Sequence, residues 1–111
     1  MRKSLSALTL MFTLLGSSPV ISATPTELES IAEMGRLNGV ALQCRYVEKM
    51  QKIKMVLVLH LPKQRELGDR FERSTNESFM EFMTSDSSCP SLEMFEQQLE
   101  AAIGNIEKAF P

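Results

Sequence analysis

Cys44 and Cys89, the only two cysteines, constrain this chain more than any other feature. An even pair in an exported chain argues for a disulfide. Closing a loop of that length stabilises by roughly 4 kcal/mol in the chain-entropy model, comparable to the whole stability of a small domain. A redox-active pair is the competing reading. It lacks a C-x-x-C spacing and the alternation of strands and helices that goes with it.

Export is read from the N-terminus. Met1-Arg2-Lys3 is cationic, Leu5 to Leu15 is uncharged and mostly apolar, and Gly16-Ser17-Ser18-Pro19 breaks the run before Ile21-Ser22-Ala23. That order is a secretory signal peptide over residues 1–23, with cleavage after Ala23. A membrane anchor would need roughly 20 apolar residues, about twice what is present. The mature chain, 24–111, is expected to be a single small helical domain with no membrane span, periplasmic or secreted.

The formal net charge is −2, and loss of Arg2 and Lys3 makes the mature chain more acidic. Its bases concentrate between Arg45 and Arg73, whereas Lys108 is the only base after Ser74. A net acidic chain without one concentrated positive face is not expected to bind nucleic acid. The basic middle is expected to face the acidic last helix within the same fold. A binding face for an anionic partner is the alternative.

Hydrophobic spacing predicts helices throughout. Thr26-Glu27-Leu28-Glu29 has capping-box spacing and opens a helix over 26–37. Asn38-Gly39 follows, either as a break or as a packing glycine in a continuous helix. Leu37 to Leu61 reads as the longest helix, with Leu37, Val40, Ala41, Cys44, Val47, Met50, Ile53 and Leu57 inward. Arg45, Glu48, Lys49 and Lys52 stand opposite. Met55-Val56-Leu57-Val58-Leu59 is apolar on every side. It reads as a helix end covered by the fold or by a partner molecule, since no second strand-like run exists to pair with it.

Leu61-Pro62 ends that segment, because proline disfavours helical geometry in the residue before it. A helix over 62–83 follows, with Leu67, Phe71, Ser74 or Thr75, Ser78, Phe82 and Met83 inward and a kink or break expected at Ser74-Thr75-Asn76. The stretch from Thr84 to Ser91 is a loop. Ser91 or Cys89 caps a last helix whose inner stripe is Leu92, Phe95, Leu99, Ala102, Ile103, Ile106 and Phe110. The fold expected is all-α: a small three- to four-helix bundle stapled by one disulfide, Cys44–Cys89.

Little in the sequence suggests catalysis. His60 is the lone histidine, and zinc sites need three or four ligands. At a helix end it suits the free carbonyls there. Met80 and Met83 lie one turn apart, and thioethers suit monovalent copper. Methionines among Phe and Leu are more often core or an adaptable contact surface. No catalytic residue, metal or cofactor is assigned.

The expected function is a non-catalytic protein-binding or helper module whose partner is another exported protein or a second copy. Its candidate apolar surface is Met55, Val58, Leu59, Phe79, Met80 and Met83. In size, export, helical content and one cysteine pair some 45 residues apart, the chain resembles the small periplasmic acid-stress chaperones. That resemblance covers architecture and implies opening at low pH, when carboxylates protonate and apolar faces are freed. A small-ligand or copper-handling role is the remaining alternative.

Overall fold

A computed structural model describes residues 22–111; the expected leader lies, up to residue 21, outside the described residues. Four helices follow in order: α1 (Pro25–Cys44), α2 (Val47–His60), α3 (Arg65–Thr84) and α4 (Leu92–Ala109). The described residues contain no strand. Cys44 and Cys89 are joined, with their Cα atoms 5.7 Å apart.

The cap of α1 lies two residues earlier than the spacing around Thr26 suggested. The capping box is Thr24 with Glu27: the Glu27 N–H donates to Thr24 Oγ1 at 3.1 Å, and the Thr24 N–H donates to Glu27 Oε1 at 2.9 Å. Pro25 decides between the two registers. It suits the first helical position, where no N–H is needed, and it forces extended geometry on the residue before it.

The long helix expected from Leu37 to Leu61 is two helices. α1 passes through Asn38-Gly39 without interruption and ends at Cys44. Arg45 then adopts φ 62°, ψ 37°, the Tyr46 N–H donates to Ala41 O at 2.9 Å, and the Arg45 N–H donates to Leu42 O at 3.3 Å. Those two bonds make a Schellman cap, here with arginine where glycine is usual. Tyr46 secures the corner: its hydroxyl donates to Pro90 O, and its ring meets Phe95 edge-on at 5.5 Å.

Gly39 is a packing glycine. A Cβ on Gly35 would lie 2.6 Å from Ser74 Cβ and 2.8 Å from Phe71 O; one on Gly39 would lie 2.7 Å from Thr75 O. Backbones can approach this closely only where one side lacks a side chain. The contacts ascend together along both helices, so α1 and α3 run parallel. Polar bonds complete the interface: Ser78 Oγ donates to Arg36 O at 2.7 Å, and Asn38 Nδ2 donates to Thr75 Oγ1 at 3.3 Å. No break occurs at Ser74-Thr75-Asn76: α3 is continuous there, with Ser74 and Thr75 held against the glycines.

α2 and α4 also run parallel, since Lys49 pairs with Glu96 and Lys52 with Glu100 at 2.9 Å. The core lies between α1 and α4. Ile31, Met34, Leu37 and Ala41 meet Phe95, Leu99, Ala102 and Ile106; α2 adds Ile53 and Leu57, and α3 adds Leu67. Three inward assignments fail: Val47, Met83 and Leu92 are all about half exposed, at the ends of their helices. Ser91, not Cys89, caps α4 by accepting from the Met94 N–H at 3.1 Å.

Candidate interaction surface

α2 meets the rest of the fold through one narrow side. Ile53 and Leu57, one turn apart, are its buried residues. Residues on the far side of a helix from such a pair face solvent. Met55 is 62% exposed, Val58 78% and Leu59 73%. Met55, Val58 and Leu59 of this apolar segment are therefore not covered by the described residues, contrary to one of its two expected explanations.

The remaining candidate residues sit on α3. Phe79 is half-buried, and Met80 and Met83 are more than half exposed. They do not join the α2 residues in one patch. At 100° per residue Met80 points directly away from Phe71, which packs on the core, whereas Phe79 and Met83 lie on an adjacent side. Met80 and Met83 supply two exposed thioethers. His60 is half-buried at the end of α2. No group of three or more His, Cys, Asp or Glu side chains suited to a metal ion occurs among the described residues.

A groove that sequence spacing did not indicate lies between the end of α2 and the start of α3. Its volume is about 380 Å³, and its walls include Leu57, Val58, Leu61, Leu67 and Phe71. Local sequence explains its form. Leu61 is extended at φ −87°, ψ 136°, as Pro62 requires, and the chain crosses to α3 through Leu61–Gln64. Gly68 lines the groove, and a Cβ there would meet nothing within 4 Å, so the α3 wall is set back.

The electrostatics divide along α2. Lys49 and Lys52 face α4 and pair with its glutamates. The hydrogen bond from Lys49 holds the Glu96 carboxyl below the ordinary glutamate value, with the lysine charge adding to the effect. Lys54 and Lys63, which line the groove, have no ion-pair partner among the described residues, and no acidic side chain lines it. The basic middle of the chain thus faces the acidic helix only in part.

Two other crevices are polar. One lies between α1 and α4 beside Glu29, Glu33 and Lys108; the other lies between α1 and α3 beside Arg36, Arg70 and Glu77. Arg36 makes a two-pronged contact with Glu33, whose hydrogen bond raises the guanidinium's pKa, and also donates to Gln98 Oε1 at 3.1 Å. The bond to Gln98 ties α1 to α4.

The chain has no detectable similarity to a known family model, to a curated protein or to a solved structure.

Proposed function

We propose that this chain is a small exported, non-catalytic protein-binding or helper module that presents the outer face of α2 to another protein. One observation carries the reading: Met55, Val58 and Leu59 stand on a single short helix, each more than half exposed, while Ile53 and Leu57 are the residues that helix buries. Large apolar side chains grouped on one face are characteristic of contact surfaces, and methionine adapts readily to a partner's shape.

Site-specific photo-crosslinking in an exporting host tests this. A photoreactive residue at Val58 should give a discrete adduct, and the same residue at Glu107 should not. Equal diffuse labelling from both positions would remove the reading.

A second reading, acid-activated chaperoning, is favoured by one feature. α2 is joined to α4 through Glu96 and Glu100, and protonating those carboxylates would loosen it and uncover Ile53 and Leu57. Because the hydrogen bond from Lys49 holds the Glu96 carboxyl below the ordinary glutamate value, its release from Lys49 comes at a lower pH than an isolated glutamate would need. Suppression of client aggregation at low pH but not at neutral pH would favour this reading; a monomer folded and inert at low pH would exclude it.

A further inference from the structure

The α2–α3 groove carries more information about its occupant than the outer face of α2 does. Its walls are apolar and open along their length, and its volume of about 380 Å³ suits a row of side chains. Val58 belongs both to the wall of the groove and to the exposed face of α2, so one partner segment can cover the two together.

The charges select among partners. Four lysines on or just after α2 divide into two pairs: Lys49 and Lys52 are engaged by α4, whereas Lys54 and Lys63 stand at the groove without a counter-charge among the described residues. Cations left unpaired beside an apolar channel favour a segment that brings both apolar side chains and carboxylates.

Within this chain that combination is confined to helix ends, Met80 and Met83 beside Glu77 and Glu81 on α3 and Leu92 and Met94 beside Glu93 on α4, and none of these makes a full apolar stripe. The acidic helix of this chain is α4, but its apolar stripe of Phe95, Leu99, Ala102 and Ile106 is buried in its own core. The exposed side of α2 is apolar, but that helix carries more lysine than glutamate.

We propose that the groove between α2 and α3 receives an acidic amphipathic helical segment of a partner protein. Its apolar side chains seat against Val58, Leu61 and Phe71, and its carboxylates reach Lys54 and Lys63. This assignment rests on the protein-binding reading above and names the chemistry of the partner.

The test uses the oxidised mature chain and two labelled synthetic peptides. Both are helix-forming and carry leucine at positions i, i+3, i+4 and i+7; one is flanked by glutamates and the other by lysines. Fluorescence anisotropy should show saturable binding of the glutamate peptide, tighter than the lysine peptide by at least about tenfold and weakened by salt. Lys54→Glu with Lys63→Glu should reverse the preference.

Gly68→Leu fills the groove from a position where a Cβ meets open space. It should abolish binding while leaving the melting temperature unchanged or raised, since leucine is the better helix former.

Equal affinity for the two peptides overturns the proposal, as does the absence of saturable binding up to about 1 mM, the weak limit of specific association. A concentration-dependent dimer in sedimentation that Gly68→Leu removes would assign the groove to a second copy and overturn it as well. A Val58 crosslink that persists in Gly68→Leu and in the double lysine variant would leave the protein-binding reading standing while removing the groove assignment.

Discussion

Gly39 in α1 and Ser78 in α3 are in such close register that a Cβ on the glycine would stand 2.7 Å from both the Cβ and the Oγ of the serine. That contact, repeated one turn earlier by Gly35 and Ser74, lets two parallel helices touch backbone to backbone. Gly39→Ala should therefore destabilise by about 1–3 kcal/mol, overcoming the roughly 1 kcal/mol that alanine contributes to helix propensity. Gly104→Ala, where a Cβ meets nothing within 4 Å, should stabilise. Urea denaturation of the two variants gives opposite signs if the close approach is real.

Arg45 holds a left-handed conformation at φ 62° with an exposed side chain. For an L-residue that costs about 1–2 kcal/mol, partly offset in glycine by its greater freedom in the unfolded chain. Arg45→Gly should leave stability unchanged or raise it by up to about 1 kcal/mol. Arg45→Val should lower it by more than about 1 kcal/mol, because β-branched residues tolerate that region least. Thermal melts of the three proteins should rank Gly first, Arg second and Val last.

The Cys44–Cys89 bond spans 45 residues and encloses α2 and α3. Replacing both cysteines with serine should cost about 4 kcal/mol in the chain-entropy model, enough to leave a domain of this size marginal. The intact mass of the protein after thiol alkylation checks the bond directly. Both cysteines should react only after reduction.

Glu96 is the carboxylate whose titration reports the junction of α2 with α4. Its folded pKa lies below the ordinary value because Lys49 donates to it. The stabilisation it brings is thus present above the unfolded-state pKa and lost as pH falls through the lower, folded one. In an NMR titration, Lys49→Met should return Glu96 to the ordinary range, and added salt should move it the same way, since the glutamate is half exposed.

Neighbours on α2 should respond in opposite ways to the same substitution. Val58→Asp places a charge on an exposed position and should change stability by no more than about 0.5 kcal/mol. Leu57→Asp buries an unpaired carboxylate and should unfold the domain. Circular dichroism melts separate the two outcomes.

Helix content, the staple and the inner stripe of α4 were legible because each follows from local periodicity or from cysteine count. The corner at Arg45 was not legible. Sequence flags a helix stop by glycine or proline, and here the flagged Asn38-Gly39 lies within a helix while an arginine makes the turn. The same blindness concealed the unbroken run of α3: Ser74 and Thr75 are poor helix formers alone, yet they are what the glycines of α1 require. Of the candidate surface, Met55, Val58 and Leu59 could be named from sequence, but their exposure could not. An all-round apolar segment reads the same whether the fold covers it or leaves it bare. The groove stayed hidden because Leu67 and Phe71 have ordinary inward spacing, and only the crossing at Leu61–Gln64 opens a channel beside them.

The anchoring of α2 by Ile53 and Leu57 has a kinetic consequence. A helix held by two buried side chains should open more often than α1 or α4, and its amides should exchange with deuterium at a lower protection free energy than theirs. The excursion is short-ranged. Cys44 fixes the chain three residues before α2, and α3 re-enters the packing at Leu67, seven residues after its end, so the open helix remains at high effective concentration beside its own seat. Each opening would show the apolar end of α2, Ile53 and Leu57 included, for a moment and then recapture it, without global unfolding.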